Sequence, residues 1–284
     1  MGTLRLSAEG AVGRGLSPAI WQAYGFIGGN FNDPSRVGFH FDDFEKFPTM
    51  TSVTDQDGFY TYQDSGVTIA PYATMDNSQE EFGVVCIAAN DADNDEGAME
   101  LGDGTAGVVR IDPTAGSRAV VAFEARIRLT TVAENHACFA FGLAEPAICA
   151  NSALVDNTSA LVQKDFIGFQ TLQASPSEID AVYNIASGTL AQIKDNAGTL
   201  VAATYIKLGG VYDPREAKNE KLKLFIDGAY IGSSVTDAII AAGTAFPTDE
   251  ELTLAFLTKS HTQATTAHPA YIDWWAIGTL WVDE

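Results

Sequence analysis

Alternation of apolar and polar positions dominates the chain from Val37 onward. In Val121–Leu129 the odd-numbered residues Val121, Phe123, Ala125, Ile127 and Leu129 are apolar. Glu124, Arg126 and Arg128 take the other face, and this period of two predicts a half-exposed strand. Leu222, Leu224 and Ile226 alternate with Lys221, Lys223 and Phe225; Asp227-Gly228 follows, and Tyr230-Ile231 resumes the apolar pattern. An Asp-Gly pair between two such runs predicts a hairpin closed by a tight turn. Further strands are predicted near residues 38–41, 58–62, 67–72, 82–88, 107–111, 137–143, 165–173, 179–185, 200–208, 252–258 and 271–281. The last of these carries Trp274-Trp275, whose side chains must point to opposite faces.

Helix signals are few. Ser17-Pro18 reads as an N-cap followed by Pro at the first helical position, opening a short helix that runs to about Tyr24. Asp237–Ala242 predicts a second turn or two. Residues 89–106 read as an acidic, glycine-containing loop. Many short strands at hairpin-length spacing predict an all-β, two-sheet antiparallel sandwich over residues 37–284. Residues 1–36 lack sustained alternation and are rich in glycine, so they read as an extended N-terminal arm. Its large aromatics need a surface to cover them, either the arm's own domain or another subunit. A separable arm would leave residues 37–284 folded on its removal.

Charge narrows the partners. Thirty-seven acidic residues against 16 basic ones give a net charge of −21, which repels nucleic acid and anionic membrane surfaces. Three cysteines, Cys86, Cys138 and Cys149, are too few and too odd for a disulfide framework, and Cys86 and Cys138, within apolar strand-like runs, are expected as buried thiols. The first residues hold no long apolar run, which fits synthesis in the cytoplasm, and no segment approaches the ~18 apolar residues of a membrane span. Asn157-Thr158-Ser159 matches a glycosylation sequon, without evident use.

The runs Phe123–Ile127, Phe139–Leu143, Asp165–Phe169, Leu224–Gly228 and Ile272–Trp275 together resemble the concanavalin A-like (laminin G-like) jelly roll. Gly13-Arg14-Gly15-Leu16-Ser17-Pro18-Ala19-Ile20-Trp21 resembles N-terminal segments of tailed-phage virion proteins, and such an arm on a jelly roll is similar to phage capsid decoration (cement) proteins. That resemblance implies a non-enzymatic virion protein on the outer surface of the capsid, made in the host cytoplasm. It implies the major capsid protein as partner, self-association as a homotrimer, and no cofactor or metal. Leu16, Pro18, Ile20, Trp21, Tyr24 and Phe26 are then the capsid-binding residues of the arm.

Two other function classes stay open. A carbohydrate-binding, lectin-like module on a virion or cell surface would use loop aromatics, or the acidic loop Asp91–Asp95 with calcium. That loop departs from an EF-hand, with Glu96 where glycine belongs and Gly102 where the closing Glu belongs, and a solvated acidic loop is the plainer reading. A polysaccharide-degrading enzyme is the third class. Glu178-Ile179-Asp180-Ala181-Val182-Tyr183 resembles the Glu-x-Asp-x-(x)-Glu strand of laminarinase-type glycosidases, but Val182 and Tyr183 stand where the acid/base carboxyl belongs. A retaining mechanism needs a second carboxyl at about 5–5.5 Å. The four histidines, His40, His136, His261 and His268, lack metal-ligand spacing, and His136 near Cys138 offers a nucleophile pair without a third group.

Overall fold

The computed structural model describes residues 15–27, 35–45, 55–56, 58–72, 83–88, 93–114, 116–186, 188–244, 246–248, 250–261 and 268–282. Among these residues, strands form two antiparallel sheets. The first has the order β15 (Ala229–Tyr230), β14 (Leu222–Ile226), β13 (Ile206–Tyr212), β8 (Ala119–Leu129), β17 (Ala270–Trp281), β5 (Val85–Ala88) and β4 (Thr68–Pro71), with β1 (Val37–Asp42) on the second half of β17. The second has the order β12 (Ala191–Thr199), β11 (Ser175–Asn184), β10 (Phe166–Leu172), β9 (Ala137–Ala144), β16 (Glu251–Ser260), β6 (Glu96–Leu101), β3 (Phe59–Gln63) and β2 (Asp55–Gln56), with β7 (Val109–Arg110) on the start of β16. Two short helices, α1 (Pro18–Trp21) and α2 (Asp237–Ala242), lie outside the sheets.

The period-two pattern does what it predicts for the inner faces. Phe123, Ala125 and Ile127 of β8 meet Phe139 and Phe141 of β9, Phe169 of β10 and Phe256 of β16 in one core, together with Trp275. The Asp227-Gly228 turn has both residues at positive φ, 50° and 76°, as the twist of a two-residue hairpin requires.

The outer faces depart from the half-exposed expectation. Glu124, Arg126 and Arg128 are all buried. Residues 15–27 lie over the middle of the first sheet, and Arg126 and Arg128 stack on Tyr205 and Tyr271 beside them. The second sheet is covered as well. Ile148, Cys149, Ala153, Leu154 and Leu161, from the connection between β9 and β10, pack onto Ala98, Ala140, Ala144, Ala255 and Val182. The sandwich is therefore four layers deep over its centre. Small residues on the outer face, Ala98, Ala140, Ala144 and Ala255, meet the covering chain. Gly142 and Gly168 face each other across β9 and β10, and a Cβ on either would stand 2.2 Å from a backbone oxygen of the neighbouring strand.

Three other differences are local. Residues 96–101, read as loop, form β6 in the body of the second sheet. Their alternation is Glu-Ala-Glu outward against Gly-Met-Leu inward, and the glutamates mask it. Strand β12 was invisible because it is a mostly exposed edge with polar residues on both faces. The strand expected near 200–208 begins at Ile206 and runs to Tyr212.

Candidate functional site

The arm residues find their surface in their own chain. Leu16, Ile20, Trp21 and Phe26 are fully buried against Val120, Ala122, Val211 and Trp274. Trp21 meets Phe26 and Phe39 edge-on, with centroids 5.3 and 5.1 Å away. Glycines make the space: a Cβ on Gly209 would come within 2.7 Å of Ile20 Cδ1, and one on Gly278 within 3.0 Å of the Phe26 ring. Glu124 fixes the segment, its Oε2 accepting from Ser17 N at 2.9 Å and from Trp21 Nε1 at 2.8 Å. Lys207 Nζ donates to Gly15 O at 3.3 Å. Burial pushes the Glu124 carboxyl up, against the opposing pull of Ser17, Lys207 and Trp21. Burial likewise lowers the Lys207 ammonium, which Glu124 and Asp227 partly restore. Four of the six residues expected to bind a capsid thus face inward; Pro18 is exposed and Tyr24 half-buried.

Tyr24 belongs to a different feature. Between α1, the 213–220 loop and the β14–β15 hairpin lies a cleft of about 570 Å³. Tyr24 and Tyr230 contribute aromatic rings to its lining, Ala19 and Ala23 small apolar side chains, and Asp213, Arg215, Glu216, Glu220 and Lys223 polar groups. The hairpin places Tyr230 opposite Phe225, with ring centroids 5.9 Å apart, and leaves Tyr230 48% exposed. Arg215 grips Asp213 through Nε (2.8 Å) and a second guanidinium nitrogen (2.5 Å), which raises its already high pKa. Lys223 pairs with Glu216 at 2.9 Å and lies 5.7 Å from the Tyr24 ring centroid. Burial raises both the Tyr24 and Tyr230 phenols, so each is a hydroxyl donor at neutral pH. Trp281 and Val108 mark another area, 51% and 46% exposed, beside grooves of about 230 and 270 Å³.

The glycosidase-like strand is β11. Glu178 is exposed, Asp180 is buried and accepts from Asn196 N at 2.9 Å, and Tyr183 points into the core against Phe246. Burial raises Asp180, and Asp195 and Glu178 add to the rise. Asp195, from β12, is a carboxyl neighbour that motif reading missed, because it comes from the next strand. The middle of this sheet face is closed by the 145–165 connection. Glu100 accepts from Ala147 N (2.9 Å) and Cys149 N (3.0 Å); Glu96 accepts from Ser152 Oγ (2.7 Å), Ala153 N (2.8 Å) and Leu154 N (3.0 Å). Lys259 sits 3.5 Å from Glu96 and 2.7 Å from Asp156 and donates to Leu154 O. Burial raises both glutamates despite these donors.

The remaining candidates separate. His136 Nδ1 lies 2.7 Å from His268 Nε2, while Cys138 is buried next to Ser159 and Thr171, so the His136–Cys138 pair does not form. Ser159 Oγ bonds instead to His261 Nε2 at 2.6 Å, both residues being fully buried. Cys138 and Cys149 are buried thiols and Cys86 is half-buried; all three are free. Asp91 of the acidic loop lies outside the described residues. Among the described residues, Glu145, Asp165 and Glu250 bring carboxylates within 4.8 Å of one another, but Lys164 and the Asp165 and Ala186 N–H groups already occupy the first two.

No family model matches the sequence, and no curated protein matches it. Solved structures do resemble it. A protein of unknown function from Shewanella oneidensis MR-1 aligns over 87% of this chain and 87% of its own, with 11% identity and a TM-score of 0.51. An endo-1,3-beta-glucanase from Streptomyces sioyaensis covers 88% and 98%, with 12% identity and a TM-score of 0.51. Peanut lectin, solved with a nine-residue peptide, covers 87% and 100%, with 12% identity and a TM-score of 0.50. The fold is a concanavalin A-like sandwich. At these identities the likeness speaks for the fold alone.

Proposed function

We propose that this concanavalin A-like chain is a non-catalytic carbohydrate-binding module, and that the Tyr24–Tyr230 cleft holds the sugar. The observation that carries the reading is the cleft itself: two tyrosine rings flank a concavity with two fixed acid–base pairs, Asp213–Arg215 and Glu216–Lys223. Aromatic faces suit the apolar face of a pyranose, and paired acceptors and donors suit its hydroxyls. The size falls within the ~300–1,000 Å³ typical of ligand sites. A lectin and a glucanase among the similar structures add a fold precedent. Against hydrolysis stands the strand around Glu178, whose sixth position is a core tyrosine. The test is a glycan array with wild type and Tyr230→Ala, with and without calcium; an array blank under both conditions refutes the reading.

A second reading, a capsid decoration protein bound to a major capsid protein as a homotrimer, is favoured by the Trp281–Val108 patch, an exposed apolar surface outside the covered faces. Leu16, Ile20, Trp21 and Phe26 do not serve it while they are buried in their own sheet. Co-sedimentation with capsids that is lost in Trp281→Ala supports this reading, and equal co-sedimentation of the variant removes the patch from it.

A further inference from the structure

Two of the four histidines meet at the rim of the sandwich. His136 precedes β9 and His268 precedes β17, yet His136 Nδ1 and His268 Nε2 stand 2.7 Å apart, with ring centroids at 4.6 Å and planes at 61°. Both side chains are half-buried, so solvent reaches the pair. The backbone holding them is fixed on each side. His136 N donates to Ala133 O at 3.3 Å, and its carbonyl accepts from His261 N at 2.8 Å. Pro269 O, next to His268, accepts from both the amide and the hydroxyl of Thr130 at 3.2 Å, and Ala270 then enters register with Leu129.

We infer that His136 and His268 form a binding site for a divalent transition-metal ion of the copper, nickel or zinc class. Imidazole nitrogens bind such ions at ~2.0–2.1 Å. Two of them on one ion stand roughly 2.9 Å apart at a right angle and roughly 3.4 Å apart at the tetrahedral angle, by simple trigonometry on that bond length. The observed 2.7 Å is shorter than both, so an ion would replace the imidazole–imidazole hydrogen bond and part the rings slightly, and copper(II) leads the affinity order for such nitrogen sites. The two ring nitrogens face each other at hydrogen-bond distance, and solvent can complete the coordination sphere of an ion that takes the place of that contact. An ion there would join the β8–β9 turn to the start of β17, pinning two segments far apart in sequence. The competing account of the same geometry is one imidazole donating to the other, which predicts no ion binding. This site is independent of the sugar cleft.

The test uses the full chain, stripped with EDTA and titrated calorimetrically at pH 7.5 with copper(II), nickel(II) and zinc(II) chlorides. The inference expects one equivalent bound, copper tightest, with at least tenfold weaker binding in His136→Gln and in His268→Gln. The glutamines keep polarity and approximate size, and thermal melts confirm that both variants fold. The copper-loaded protein should show two coordinated nitrogens by electron paramagnetic resonance, and one in each variant. No heat with any of the three ions overturns the inference, as does one-equivalent binding that both variants retain unchanged.

Discussion

Glu124→Ala tests the idea that a buried carboxylate holds the N-terminal segment on its sheet. The change leaves two buried donors, Ser17 N and Trp21 Nε1, without their acceptor. An unsatisfied buried donor costs about 1–3 kcal/mol, so the loss is ~2–6 kcal/mol before the gain from removing a buried charge. Glu124→Gln is the control. Its amide oxygen can take the place of Oε2, and its NH2 would occupy the position of Oε1, which has no hydrogen-bond partner. The two variants also differ from wild type in pH dependence. Burial holds the folded-state carboxyl above its ordinary 4.5, so the native state binds the proton more tightly than the unfolded chain. The stability this contributes is full below 4.5 and is lost as pH rises through the folded-state value. One such group gives a slope of at most about 1.4 kcal/mol per pH unit. Glu124→Gln removes that slope, and subtracting its curve from wild type cancels the general repulsion of an acidic chain. Urea unfolding followed by tryptophan fluorescence from pH 4 upward reads both quantities. Glu124→Ala within about 0.5 kcal/mol of wild type, a change typical of uninvolved surface sites, would refute the anchoring role.

Other consequences follow from the same packing. Tyr230→Ala should weaken glycan binding about tenfold or more, near 1.4 kcal/mol, with unchanged melting temperature, as read by calorimetry against the best array ligand. Gly142→Ala places a Cβ 2.2 Å from Ile167 O in the middle of the second sheet, and should cost ~2–3 kcal/mol by chemical denaturation or prevent folding. Glu178→Gln and Asp195→Asn should leave any polysaccharide cleavage by the preparation unchanged; a loss of reducing-sugar release in either would return the enzyme reading. Deleting residues 1–27 should expose Val120, Ala122 and Trp274 and cause aggregation on size exclusion, whereas a soluble monomer of wild-type stability would restore the separable arm.

The sandwich was legible because its inner faces are written in alternation. Val121–Leu129, the Asp227-Gly228 turn and the strand through Trp274-Trp275 each state their geometry locally, and period two does not depend on what lies across the sheet. The polar alternate positions were a different matter. Glu124 and Glu100 look the same in a sequence whether water or an N–H group meets them. One signal was present: Ala122, Gly209, Ala276 and Gly278 on one sheet, and Ala98, Ala140, Gly142 and Ala255 on the other, are small apolar residues where a solvated face would carry long polar ones.

By itself, then, the chain determined the two-sheet architecture, the hairpin and the weakness of the Glu178 motif, since those follow from neighbours in sequence. Only the tertiary structure decided what the outer faces do. It turned the arm inward onto Glu124, closed the second face with Glu96 and Glu100, and brought Tyr24 to Tyr230 and His136 to His268. These pairings join residues from 47 to more than a hundred positions apart, and no local pattern encodes which distant segment will satisfy a buried donor or share a cleft.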